Sequence, residues 1–145
     1  MLNVLSNNGS RQGERVPHFT FEYSANLEGR CDFKVLSRIV HETIVATGLF
    51  ELGAVRVRAF RSDNYAIADL LPENSFIDMS LRLGVGRTAE EKKLVGERIF
   101  TAVSAYLAPI YETPHFALSL DVREIDRELS WKKNGMHSRL RPVAK

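Results

Sequence analysis

The chain has 145 residues, enough for one domain with its own core, and at 44% hydrophobic and 26% charged its composition is that of an ordinary globular protein. A formal charge of +2 is too small to argue for a nucleic-acid partner, and the single cysteine, Cys31, excludes an internal disulfide and a cysteine-based zinc site. No stretch approaches the ~18 apolar residues of a membrane span, and a lone thiol without a signal-peptide-like apolar run predicts a cytoplasmic protein.

Residues 1–16 are rich in Asn, Ser, Gly, Gln and Arg without a sustained period, so they read as an irregular leader, with the ordered domain expected over 17–145. Four strand-like runs follow, each apolar on one face only. Phe19, Phe21 and Tyr23 alternate with His18, Thr20 and Glu22; Val55, Val57 and Ala59 alternate with Arg56, Arg58 and Phe60. Ile77, Met79, Leu81 and Leu83 are set against Phe76, Asp78, Ser80 and Arg82; Phe116, Leu118, Leu120 and Val122 are set against Ala117, Ser119, Asp121 and Arg123. Period-two alternation of this kind marks half-buried strands.

Two helices are predicted between them. The first runs from about Asp32 to Thr47, with Leu36, Ile39, Val40, Thr43 and Ile44 as its apolar stripe and Gly48 as a C-terminal cap. The second runs from about Ala89 to Leu107, begins at a capping box of Thr88 and Glu91, and is expected to stop at Pro109. The basic end, Ser130 to Lys145, carries Lys132, Lys133, Arg139, Arg141 and Lys145 and no acid, and reads as a solvated, frayed tail.

The order β-α-β, β-α-β predicts an α+β fold: two right-handed parallel units forming one four-stranded mixed sheet with both helices on one face. The duplication is one of elements; the echo of Pro17-His18-Phe19 in Pro114-His115-Phe116 is read as chance. The face away from the helices mixes Phe60 and Phe76 with Arg56, Arg58, Asp78, Ser80 and Arg82, which suggests burial against other subunits, with plain solvent exposure as the alternative.

Few residues offer chemistry. Arg87 follows Gly84-Val85-Gly86 and precedes the cap Thr88, where a helix start already carries partial positive charge. It reads either as a carboxylate or phosphate clamp or as an exposed loop arginine. Arg56 and Arg58 share a strand face and suit a carboxylate, or simply make that face charged. The four histidines, His18, His41, His115 and His137, have no metal-ligand spacing, so no metal is expected.

Taken together, Pro17-His18-Phe19 opening a strand, Ala46-Thr47-Gly48-Leu49-Phe50, Val55-Arg56-Val57-Arg58 and Leu83-Gly84-Val85-Gly86-Arg87 resemble the 5-carboxymethyl-2-hydroxymuconate isomerases of the tautomerase superfamily. The resemblance runs from Pro17 to about His137, and Asp78 to Ala105 also resembles the small 4-oxalocrotonate tautomerase. It implies a homotrimer, no cofactor, and a small polycarboxylate substrate from aromatic-acid (homoprotocatechuate) breakdown. It further implies that Pro17 is the catalytic base, that Arg56 and Arg87 hold carboxylates with Arg87 also drawing electron density, and that Phe19 forms part of an apolar wall. In that family the proline is the first residue of the mature chain. Here it is not, and a peptide-bonded proline nitrogen has no usable lone pair. The leader is therefore expected to be a start-site error: Val16 can be encoded by GTG, a start codon, and Gly13-Glu14 by a sequence resembling a ribosome-binding site. A propeptide or expression artefact is the alternative. Rival activities are a phenylpyruvate-type tautomerase, a dehalogenase-like hydrolase, or a non-enzymatic ligand-binding module of the same element order. Against an RNA-reading module, the third strand lacks the required Gly-Phe-aromatic pattern.

Overall fold

The computed structural model describes residues 17–142; the leader over 1–16 and the last three residues lie outside the described residues. The elements are β1 (His18–Ser24), α1 (Phe33–Ala46), β2 (Arg56–Ser62), β3 (Ser75–Gly84), α2 (Ala89–Tyr106), α3 (Ala108–Tyr111), β4 (Phe116–Ile125) and α4 (Gly135–Leu140). Single 3-10 turns occupy Ala25–Leu27, Leu52–Ala54 and Arg127–Leu129. Strand order is β2-β1-β3-β4, with parallel pairs at each side and an antiparallel β1–β3 pair in the middle. Two parallel β-α-β units thus meet back to back, as the sequence predicts.

The alternation explains the layering. Register sets Phe19 opposite Leu81, Phe21 opposite Met79 and Tyr23 opposite Ile77. These side chains therefore share one face, and all six are buried. Leu36, Val40 and Ile44 of α1 and Val95, Ile99 and Val103 of α2 cover that face and are fully buried. Fully burying one large apolar side chain contributes about 1.5–3 kcal/mol, so this single layer carries most of the folding drive.

Caps place the helix ends. The Asp32 side chain accepts from Lys34 N at 2.8 Å and Val35 N at 3.3 Å, and Gly48 takes φ 72° just past the C-cap Thr47. The first helix is thus one residue shorter at each end than predicted, because Asp32 and Thr47 serve as caps. In α2, Thr88 N donates to Glu91 Oε1 at 3.0 Å and Glu91 N donates to Thr88 Oγ1 at 3.1 Å, completing the capping box. That helix ends at Tyr106 before any proline acts; Pro109 instead sits in the first turn of α3.

The C-terminal expectation fails in one respect: Lys132, Lys133, Arg139 and Arg141 are exposed as expected, but the segment is not frayed. Residues 134–141 are not a frayed tail but return to the turn at Leu52–Ala54. Asn134 Nδ2 donates to the Gly53 carbonyl at 2.8 Å, His137 is only 7% exposed, and Arg141 reaches Glu51. The physical reason is that the basic segment finds its carboxylate partner some ninety positions earlier in the chain.

Among the described residues, the face of the sheet away from α1 and α2 carries no helix. It presents Arg56, His18, Arg82 and Arg123 as one cross-strand row, with Glu22 and Asp78 two rows away and Phe60 beside them, 54% exposed.

Candidate active site

Because β3 runs antiparallel to β1, the starts of β1 and β2 and the ends of β3 and β4 share one edge of the sheet. Pro17, buried, lies at that edge, and its carbonyl accepts from Arg56 N at 3.2 Å, extending the β1–β2 ladder by one residue. Arg56 pairs across from His18, and His18 from Arg82. Arg87 enters the same edge from the other side, on the turn after β3, where Gly86 takes φ 112°, a conformation that costs a side-chain-bearing residue energy. The Arg87 guanidinium donates to the Leu49 carbonyl and stacks over the Phe50 ring with Cζ 4.1 Å from its centroid. The stretch between α1 and β2 is therefore what orients it.

His18 is the most perturbed group at this edge. Its Nε2 lies 3.5 Å from an Arg56 amino nitrogen, and its Nδ1 lies 3.5 Å from one of Arg58. Burial, followed by the charges of Arg82, Arg56, Arg58 and Lys132, pushes its pKa down to about 4. At neutral pH the ring is uncharged, and a neutral imidazole has one acceptor nitrogen. It can therefore accept from one arginine at a time.

Of the residues singled out from sequence, Pro17, Arg56 and Arg87 come to one edge. Phe19 does not: it is fully buried in the core, packed edge-to-face on Phe21 with centroids 5.0 Å apart, so it backs the edge rather than lining it. Arg58, to which the family resemblance gives no role, reaches His18. His18 itself was legible, since alternation puts it on the face of Arg56 and Arg58. Phe50 and Lys132 had no local signal.

The edge is cationic, a charge that suits it to anions. Among the described residues no group of three or more His, Cys, Asp or Glu could hold a metal ion, and no helix is long and apolar enough to cross a membrane. An open groove of about 580 Å³ between α2 and β4, lined by Lys92, Gly96, Phe100, Leu120 and Val122 among others, includes none of Pro17, Arg56 or Arg87.

Comparison with known proteins identifies the family. The family described as CHMI, 5-carboxymethyl-2-hydroxymuconate isomerase, matches residues 17–140. The chain is 32% identical over 123 residues to the 5-carboxymethyl-2-hydroxymuconate Delta-isomerase of Escherichia coli, covering 85% of this chain and 98% of that protein. A crystal structure of a 5-carboxymethyl-2-hydroxymuconate isomerase from Deinococcus radiodurans R1 is 31% identical, with a TM-score of 0.84 over 89% of this chain and 97% of that one. A 5-carboxymethyl-2-hydroxymuconate delta-isomerase structure, 24% identical, shares the fold with a TM-score of 0.82 over 91% of this chain and 97% of its own. The chain belongs to the 5-carboxymethyl-2-hydroxymuconate isomerase family and is an isomerase of the tautomerase superfamily.

Proposed function

We propose that the protein converts 5-carboxymethyl-2-hydroxymuconate, or a close 2-hydroxymuconate polycarboxylate, to its 2-oxo-3-ene isomer without a cofactor. The observation that supports this reading is that Pro17 and Arg56 adjoin at the start of the β1–β2 ladder and that Arg87 follows β3 at the same end of the sheet. Arg56 and Arg87 bind carboxylates, and Arg87 draws electron density toward its end of the conjugated chain. The nitrogen of Pro17 takes the 2-hydroxyl proton and delivers a proton to C5. Such acid–base transfer supplies about 10²–10⁴-fold, and positioning by the two arginines adds to it.

The chemistry requires Pro17 as a free secondary amine, so the active form begins at that residue; the family match beginning at residue 17 supports this. A free amine there is weakened as a base by the neighbouring cations and by burial, which leaves it unprotonated and able to cycle. The active form is a cytoplasmic homotrimer, a reading supported by the helix-free sheet face with its exposed Phe60 and mixed charges. Sedimentation of the chain at assay concentration tests the trimer.

The deciding experiment is ultraviolet-monitored isomerisation of the hydroxymuconate by a chain starting at Pro17 and by the full chain, each checked by intact mass. Full activity from the chain starting at Pro17 and a loss of at least about 10²-fold with the leader retained is the expected result. A leader-bearing protein that works at full speed removes Pro17 from the mechanism.

A further inference from the structure

The eight residues from Leu49 to Arg56 hold both arginines assigned to the substrate. At one end the Leu49 carbonyl and Phe50 ring seat Arg87; at the other, Arg56 opens β2. Between them lies no long regular element, only the 3-10 turn Leu52–Ala54. A segment of this kind has few constraints of its own, so something else must fix it.

What fixes it comes from the other end of the chain. Glu51 Oε2 lies 2.8 Å from His137 Nδ1. The same carboxylate accepts from Arg141 Nε at 3.0 and 3.2 Å and from an Arg141 amino nitrogen at 2.8 Å. Asn134 caps α4 by accepting from Met136 N at 2.9 Å, and its amide donates to the Gly53 carbonyl at 2.8 Å. Gly53 leaves no slack. A Cβ there would stand 3.2 Å from His137 N, His137 Nδ1 and the Met136 carbonyl carbon. An isolated surface ion pair contributes about 0–1 kcal/mol. This contact differs: the Glu51 side chain is 29% exposed, that of His137 is 9% exposed, and backbone and side-chain bonds converge on one turn. The same segment also brings Lys132 to the cations around His18.

We propose that the C-terminal segment 134–141 is a clamp that positions both substrate arginines through the 51–54 turn, with Glu51 as its central positioning residue. The proposal rests on the role given above to Arg56 and Arg87. Among the described residues the Glu51 carboxylate is engaged by His137 and Arg141, whereas the Pro17 carbonyl accepts from Arg56 N. Loosening the clamp therefore acts first on the hold on carboxylates, and touches the chemistry only through the share of kcat that Arg87 supplies by drawing electron density. This separates a positioning role from a purely structural one, which would lower kcat with the folded fraction at constant KM.

The test uses the chain beginning at Pro17 and three variants, Glu51→Ala, Gly53→Ala and Arg141→Gln, all checked for folding by thermal melting. Glu51→Ala and Gly53→Ala are expected to raise KM about tenfold with kcat within about threefold, and Arg141→Gln, the mildest, to raise KM about threefold. Titration with cis,cis-muconate, a dicarboxylate without the 2-hydroxyl proton, reads the same loss as a Kd and does not depend on turnover. Folded variants with unchanged KM and unchanged muconate Kd overturn the clamp, as does a fall in kcat alone. If the parent chain binds muconate and Glu51→Ala weakens it but neither turns over the hydroxymuconate, the clamp stands and the proposed reaction fails.

Discussion

His18 makes stability depend on pH in a way that can be isolated. The perturbation is acidification from pH 7.5 to 4.5, applied to the native protein and to His18→Asn. The ring is held at a pKa of about 4 against an ordinary 6.5, by burial first and then by Arg82 on β3, Arg56 and Arg58 on β2, and Lys132 from the C-terminal segment. In the window between those values the unfolded chain takes up a proton at His18 and the folded chain does not. Stability therefore falls as the pH drops through that window, and the loss is complete once the pH is below about 4. At ~1.4 kcal/mol per tenfold the full gap would be about 3 kcal/mol, and solvent screening at a partly exposed ring reduces it to about 1–2 kcal/mol. Urea unfolding at several pH values measures it. Both proteins lose stability in acid through their carboxylates, among them Asp69, whose pKa is lowered chiefly by its hydrogen bond from Asn74, so only the difference between them reports on His18. The native protein should lose about 1–2 kcal/mol more than His18→Asn between pH 7.5 and 4.5. Parallel pH curves for the two proteins would refute the assignment of a neutral His18 among four cations.

Three further outcomes are expected. Arg87→Ala should raise KM for the hydroxymuconate about 10–100-fold, because it removes a carboxylate partner seated on Phe50, and steady-state kinetics of the chain beginning at Pro17 reads it. Thr88→Ala should cost about 1 kcal/mol in denaturant unfolding, since it removes the hydroxyl that accepts from Glu91 N, while Thr88 N still donates to the Glu91 side chain. Cys31, its thiol pushed up to about 11 mainly by burial, should react with iodoacetamide at pH 8 about 100-fold more slowly in the native protein than in urea; equal rates would contradict its burial.

The fold was legible in the sequence where one physical rule acted alone. Strict alternation in β1 and β3 reflects one buried face, and no charged side chain interrupts that face from Phe19 to Tyr23 or from Ile77 to Leu83. The α2 start was legible because a capping box is local. The clamp was not, since α4 is six residues long and is held mainly by polar partners far away in sequence, Glu51 and Gly53, which no window along the chain brings together. Phe19 shows the opposite failure. Its alternation with Phe21 already placed it on the core face, and the family resemblance drew it toward the site against that evidence. His18 was passed over although the same alternation put it beside Arg56.

That neighbour matters for the proposed base. Burial first, and then the charges of Arg82, Arg56, Arg58 and Lys132, empty the His18 ring of its proton at the residue next to Pro17, so the part of that shift due to charge gauges the potential that a free amine at residue 17 would feel. A cationic edge lowers the basicity of such an amine, which keeps it unprotonated, and the same edge attracts a polyanion. If the proposed mechanism holds, carboxylates on Arg56 and Arg87 would partly cancel that positive potential, and the amine would regain proton affinity as the 2-hydroxyl proton arrives. In the proposed mechanism one set of arginines would then serve both substrate capture and base tuning, and His18 offers a place to read that coupling. Saturating muconate should raise its ring pKa, because the anion cancels part of the charge that lowered it, and a ring titration by NMR that ignores the ligand would break the link between binding and basicity.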